Sequence, residues 1–577
     1  MKCIQWLRSF LLLAVLCFGS CMTGGTVQGE GAAEKLNILP TTYPAVAFTF
    51  CGLSKGDVVD DVLNRMDREG MRGTFFVTER ELKRNGPVIA NIARHGQEFG
   101  IGILYKEGDT EQAIEAQIIR IRQGLAAYGA TPKFMRQMYG ADSPAVAEAV
   151  RRQQGILVGQ TKNMVLSRLK DAQSADDIMK VIFKKWDFAL GRGQIAYFRL
   201  DYLTHPMIIG DVVSAVKRDK VDNVAYRTFT DSPETNGAND SAYAVLSLGD
   251  IWSHADMRWT YPVDESCIPE ALKPDTIAVP VTKKNFTQTF LARYIGAPEV
   301  DAEDRMYGFG QGLIAAADKT GVIKTVHDNT VFLTFDDWGT DESINKLLYV
   351  LRKHHVKATF FIITRYMPSN PNLLRAIALE GHDIGSHTDL HQAMAIRDEK
   401  GKIIDSQTPE AYQKNVADSY KKLADTIGDV QVDGTYALTR LFRPPTLAVN
   451  ESGSMALFNA GYTYIVSGYE STEDYAARSI SQVVGAIRAG MYTPKGNVRR
   501  GSVIVMHMSS TAPYTAQALD IVLTKNEELA DRDPKKVKFG RLSEYLRDGY
   551  DQRQEQPKYE SYTGDRKSTR LNSSHRT

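Results

Sequence analysis

The apolar and polar positions of this chain repeat at a distance of 285 residues. Residues 46–100 align with residues 331–385 without a gap, and 13 of the 55 positions are identical. Thr49-Phe50 recurs as Thr334-Phe335, Thr74-Phe75-Phe76 as Thr359-Phe360-Phe361, and Gly96 and Gly100 as Gly381 and Gly385. In the second copy the apolar run 331–335 predicts a buried strand. Ile344, Leu347, Leu348 and Leu351 then follow at helical spacing and predict an amphipathic helix. The β-branched and aromatic run 358–363 predicts a second strand, and residues 373–379 a second helix stopped by Gly381. Strand, helix, strand, helix is the signature of an α/β unit with parallel strands. Further strand-like runs lie at 441–442, 462–466 and 502–506.

The repeat implies two related α/β domains, at about residues 40–235 and 325–550. The intervening segment 236–324 carries mixed signals and reads as a linker or as decoration on the first domain. Residues 232–241 read as a loop, 276–281 as a strand, 288–294 as a helix, and 308–312 are glycine-rich.

At 577 residues the chain is too long for one ordinary core, which agrees with two domains. With 70 basic and 69 acidic residues, no net field draws it to nucleic acid. The N-terminus reads as an export signal over residues 1–20: Lys2 and Arg8, an apolar run at 9–18, then small residues. Phe18-Gly19-Ser20-Cys21 resembles a bacterial lipobox, which makes Cys21 a candidate lipidation site and membrane anchor; the alternative is a plain cleaved signal and a secreted protein. Residues 21–39 read as a flexible tether. Cys51 and Cys267 are expected as buried free thiols, ahead of a bond between them. The tail 551–577 is polar, and its stretch 565–575 reads as the translation of a sequencing-adapter oligonucleotide; both are set aside from the fold.

The candidate chemistry lies in the second copy. Asp336 and Asp337 stand side by side just after a hydrophobic strand, where parallel α/β folds gather functional groups. One carboxylate can hold a cation while the other takes a proton. His387 and His391 are four apart; on a helical turn that spacing sets both imidazoles on one side. With Asp337 they make three ligands, the number an open catalytic metal site needs. Arg443 sits on a proline-rich turn, Arg443-Pro444-Pro445, and His507 ends the apolar run 502–506.

As an ordered set these motifs resemble the polysaccharide deacetylase family, the NodB-homology domains of carbohydrate esterase family four. The resemblance covers about 200 residues. It implies two NodB-like distorted (β/α) barrels in tandem, the first lacking the metal site. It implies Asp336 as general base, Asp337, His387 and His391 as the ligands of a divalent metal with zinc expected, Arg443 as the partner that keeps the base ionised, and His507 as general acid. Asp474-Tyr475 is the best match to the family's Asp-Trp element, with Asp474 tuning His507 and Tyr475 lining the groove. Trp338, Pro445 and Thr446 complete the substrate-binding set. Trp338 replaces a usual Gly, Thr446 a usual Tyr and Tyr475 a usual Trp, so the groove is expected to differ in shape. The implied activity is removal of acetyl groups from an N-acetylated glycan at the cell envelope: peptidoglycan, a chitin-like chain or poly-N-acetylglucosamine. The alternatives are an O-acetyl xylan-type esterase and a non-catalytic glycan-binding envelope protein.

The same offset puts Cys51 and Gly52 where the second copy has Asp336 and Asp337, and Gly102 and Lys106 where it has His387 and His391. Arg136 matches Arg443, and Arg199 stands where His507 is expected. The first copy is therefore expected to keep the fold and lack the chemistry.

Overall fold

The structure is a computed structural model that describes residues 34–227, 242–277, 280–298 and 306–546. The expected signal peptide, Cys21, the loop 232–241 and the adapter-like tail lie outside those residues. The chain divides into two compact units. The first comprises Met1–Lys184, Arg192–Lys217 and Ala244–Thr260; the second comprises Lys185–Gly191, Arg218–Tyr243 and Tyr261–Thr577.

The first unit is built on an eight-stranded sheet. Its order is Ile156–Leu157, Phe134–Gln137, Glu98–Ile103, Gly73–Val77, Ala45–Cys51, Ile195–Arg199 and Lys162–Asn163, and Ala244–Leu246 adds to Ala45–Cys51. Every pairing is parallel. Ala45–Cys51 is central and buried along its whole length, as its unbroken apolar run requires. Helix Gly56–Arg68 buries Val58, Val59, Val62, Leu63 and Met66.

The second unit repeats the plan with nine strands. The order is Glu470–Ser471, Val503–His507, Thr330–Asp337, Thr359–Ile362, Asp383–Ser386, Leu438–Phe442, Tyr464–Val466 and Tyr294–Ile295, with Lys538–Gly540 adding to Thr330–Asp337. These pairings too are parallel. Each sheet is the parallel half-barrel expected of a NodB-like (β/α) fold. Because side chains alternate along a strand, Phe332, Thr334 and Asp336 share one face. Phe332 joins Ile295, Phe361, Leu441, Tyr464 and Val503 in an apolar cluster. Thr334 and Asp336, further along, turn the same face polar. On the opposite face Phe335 packs against Phe360.

Several expectations shift. Residues 34–39, assigned to the tether, are part of the first unit: Leu36 N–H donates to the Leu157 carbonyl at 2.9 Å and Leu39 is fully buried. The segment 236–324 is shared out, with Ala244–Leu246 completing the first sheet and Tyr294–Ile295 the second. No strand forms at the described residues of 276–281; Val281 is held instead by both ends of the Asn459 amide. The expected helix at 288–294 is Phe286–Arg293, and Tyr294 begins a strand. Of the glycine-rich stretch, Gly310 caps a short helix, Gln311–Ala316. Cys51 is buried and Cys267 only half-buried, and no disulfide joins them.

Both units share one packing device. A Cβ at Gly385 would come within 2.8 Å of the Leu441 carbonyl oxygen and of the Phe361 ring. At Gly100, the offset equivalent, it would meet the Phe76 ring at 2.5 Å. Each glycine thus leaves room for a phenylalanine of the neighbouring strand, and that ring in turn lies beneath an arginine: Arg443 over Phe361 at 4.6 Å, Arg136 over Phe76 at 5.5 Å. Gly385→Ala forces the Leu441 backbone or the ring to move and should destabilise the protein by about 1–3 kcal/mol, read as a lowered urea midpoint with the denaturant slope unchanged.

Candidate active site

The site forms at the carboxyl ends of the central strands. Asp336 lies beside His507 in the register of Thr330–Asp337 with Val503–His507. Asp337, one residue on, takes a positive φ of 83°. That turn separates the two carboxylates, so Asp336 stays 3% exposed while the Asp337 side chain is 25% exposed.

Arg443 holds Asp336 from below. Its Nη1 donates to both carboxylate oxygens, at 3.0 and 2.9 Å. Nη2 donates to Thr334 Oγ1 at 3.0 Å, and Nε to the Val466 carbonyl at 2.5 Å. Thr334 passes its own hydroxyl proton to the Ile504 carbonyl at 2.8 Å. The guanidinium is fully buried, and burial pulls its pKa down while the Asp336 charge and hydrogen bond work the other way. A buried cation with all three nitrogens engaged and a carboxylate in contact is the arrangement that makes such a pair tolerable.

The backbone of the same arginine orients a histidine. His387 Nδ1 lies 2.8 Å from the Arg443 carbonyl, which can only accept, so Nδ1 carries the proton and Nε2 offers its lone pair. Burial lowers the His387 pKa and keeps the ring neutral. His387 Nε2 and His391 Nε2 each stand 3.7 Å from Asp337 Oδ1. The three ligand atoms all lie within 4.8 Å of one another, and among the described residues this is the one such cluster. Donors at about 2.0–2.1 Å from a tetrahedral zinc ion stand about 3.3 Å apart, so a small contraction would close the set. Two imidazoles, one carboxylate and a His391 side chain still 46% exposed fit a divalent cation with an open position.

The two histidines do not sit on a helical turn. Residues 387–391 form a bent loop with positive φ at Thr388 (68°) and His391 (54°). Asn415, on helix Pro409–Ile427, shapes it: its Oδ1 accepts from the N–H groups of Asp389 and Leu390 at 3.0 and 3.3 Å. Asp389 adds bonds from Thr364 Oγ1 and Lys422 Nζ, both at 2.7 Å.

His507 faces the cluster from the other side. Its Nδ1 lies 2.6 Å from Asp474 Oδ1, and its backbone N–H donates to Asp474 Oδ2 at 2.9 Å. Thr515 Oγ1 donates to the same oxygen at 2.6 Å. Burial alone would discharge His507; the Asp474 hydrogen bond and charge, then Asp336 and Asp337, overcome it and raise the ring to about 9. Tyr475 is half-exposed and meets the His507 ring edge-on at 4.9 Å. Trp338 is half-buried just beyond Asp337, Pro445 is buried, and Thr446 is exposed with a positive φ of 59°. Asn415 and Thr515 escaped the sequence reading, and Thr334 entered it only as part of the repeat, without a role. Each acts through another residue, and no motif marks Asn415 or Thr515.

In the first unit the corresponding positions differ as the offset implies. Cys51 registers with Arg199 as Asp336 does with His507. Gly52 keeps the positive φ of Asp337, at 76°. The carboxylate of Asp201, paired with Arg199 at 2.6 Å, occupies the space into which a Cβ at Gly52 would project. Gly102 lies in the strand Glu98–Ile103, and Lys106 is exposed.

Arg443→Met should cost about 3–5 kcal/mol by stranding the buried Asp336 charge. Adding Asp336→Leu should recover much of that loss. A double-variant denaturation cycle reads both, and strictly additive effects would contradict the pairing.

The polysaccharide deacetylase family profile matches residues 323–465. That segment holds Asp336, Asp337, His387, His391 and Arg443; Asp474 and His507 lie beyond it. The chain is 28% identical over 204 residues to the peptidoglycan-N-acetylglucosamine deacetylase PgdA of Listeria monocytogenes, a match over 35% of this chain and 37% of that protein. The chain thus spans little more than a third of that relative's length. It is 24% identical over 182 residues to the peptidoglycan-N-acetylglucosamine deacetylase of Bacillus cereus, over 31% of this chain and 73% of the relative. Among solved structures, a family 4 acetyl xylan esterase from Clostridium thermocellum is 26% identical with a TM-score of 0.29, over 38% of this chain and 90% of that one. By sequence family, residues 323–465 are a polysaccharide deacetylase domain.

Proposed function

We propose that the second unit is a metal-dependent hydrolase that removes acetyl groups from an N-acetylated glycan at the cell envelope. The observation that supports it is the pairing, within one strand end, of a buried Arg443-held Asp336 with the open Asp337–His387–His391 cluster. The peptidoglycan deacetylases among the similar proteins favour an amide over an ester substrate. The first unit, with Cys51, Gly52 and Arg199 at the matching places, is read as a second copy of the fold without the chemistry.

Asp337, His387 and His391 would hold a divalent cation, with zinc expected; when bound it supplies Lewis-acid polarisation of the acetyl carbonyl and eases deprotonation of water. Asp336 takes the proton of the attacking water. Arg443 holds that carboxylate in place while it waits. His507 donates a proton to the departing amine, so acetate and a free amino sugar leave. Asp474 holds the His507 ring in the tautomer that presents Nε2 to the substrate and sustains its charge, and Thr515 holds Asp474. Tyr475, Trp338, Pro445 and Thr446 would form the groove wall. Among the described residues no helix is long and apolar enough to cross a membrane; attachment to one would rest on a lipid at Cys21.

Purified protein supplied with zinc should release acetate from N-acetylglucosamine oligomers and expose free amines. Asp336→Asn should slow release by about 10²–10⁴-fold while metal content stays near the parent's; His391→Ala should lower metal content itself. Acetate release from O-acetylated xylan and none from N-acetylglucosamine oligomers would mark an O-acetyl esterase, and full activity in Asp336→Asn would remove the base assignment. The rate should fall as pH rises through about 9, where His507 loses its proton. Asp474→Asn removes the charge that sustains the His507 proton, so that alkaline limb should move to lower pH; a limb that stays put would exclude His507 as the acid.

A further inference from the structure

The first unit has a cavity of about 560 Å³ at the carboxyl ends of its strands, lined by Arg136, Gln137, Tyr139, Gln160, Asn163 and Tyr197 among others. Arg136 is its chemical centre. The residue is 3% exposed, and burial pulls its pKa down to about 10, so it remains a cation at neutral pH. Nη2 donates to the Gly159 carbonyl and to Gln160 Oε1, while buried Nη1 has no hydrogen-bond partner among the described residues. In the second unit the equivalent guanidinium neutralises Asp336. Here Cys51 stands in that place, and burial pushes its thiol up to about 12, so it stays neutral and hydrogen-bonds Tyr197 Oη at 2.7 Å. The fold has therefore retained a buried arginine and lost the anion that balanced it. An uncompensated buried charge is costly, and buried charges are normally paired.

The rest of the lining indicates what carries that anion. Three side-chain amides and two tyrosines surround the cavity, and Arg136 itself lies 4.2 Å over the Tyr197 ring. Tyr139 is half-exposed. Amides that both donate and accept, with aromatic faces for the apolar side of a pyranose, suit a sugar, and the volume accommodates one or two rings. We infer that the first unit is a binding site for a carboxylate-bearing sugar, with Arg136 taking the carboxylate. This holds independently of the chemistry assigned to the second unit.

Calorimetric titration of the full-length chain tests it, with N-acetylmuramic acid and glucuronic acid against their neutral counterparts N-acetylglucosamine and glucose. The acidic sugars should bind about tenfold or more tighter, as a charge-assisted hydrogen bond in a buried site allows. His391→Ala should leave that discrimination intact, which separates the site from the second unit. Arg136→Met should abolish it while holding or raising the Tm, because it removes an unpaired buried charge. Equal binding of acidic and neutral sugars, absence of binding at millimolar concentration, or undiminished discrimination in folded Arg136→Met would overturn the proposal. Should Arg136→Met not fold, Tyr139→Ala at the surface is the second variant: several-fold weaker binding of the acidic sugars is expected, and unchanged binding would count against the site.

Discussion

Everything at the strand ends of the second unit hangs on Arg443. Its guanidinium gives the buried Asp336 its counter-charge, Thr334 its acceptor role and the Val466 carbonyl its donor. Its own carbonyl sets the His387 tautomer. The residue that would acquire a proton and the residue that would coordinate a cation are thus referenced to one rigid group. That group is itself seated on Phe361, whose ring fits only because position 385 has no side chain. The chain of dependence runs from a glycine, through an aromatic ring and a buried cation, to the orientation of two reactive side chains.

Much of this was legible in the sequence, and the reasons are physical. Strands buried on both faces read as unbroken apolar runs, so Thr330–Asp337 and Ala45–Cys51 were visible, and the 285-residue offset tied them together. Charged groups directly after such runs stand out against their surroundings, which is why Asp336, Asp337 and His507 could be named. The loop carrying His387 and His391 could not be drawn in advance. Two positive φ values shape it, and the amide that sustains them belongs to Asn415, on a helix whose local sequence has no reason to announce the contact. The expected strand at 276–281 is missing from its described residues for the opposite cause: the sequence looks extended, but Val281 finds its hydrogen bonds on one asparagine side chain rather than on a neighbouring strand.

The two units show how one backbone serves different electrostatics. The glycine, phenylalanine and arginine stack recurs in both. In the second unit the arginine sits in a closed circuit with a carboxylate. In the first that circuit is open, and the polar cavity beside it has the lining of a recognition site. A shared scaffold need not share a reaction, since the reaction depends on which side chains stand at the strand ends.

Gly52 carries one more implication. The backbone there still bends as it does at Asp337, yet the Asp201 carboxylate fills the volume a side chain would need and is tied to Arg199. An aspartate placed at position 52 would meet an existing negative charge in its own space. Asp201 would have to leave first, and its departure alone would strand Arg199. A ligand at this position therefore needs Asp201 to change together with Gly52. The backbone bend of Asp337 thus persists at Gly52 without room for the side chain that would use it.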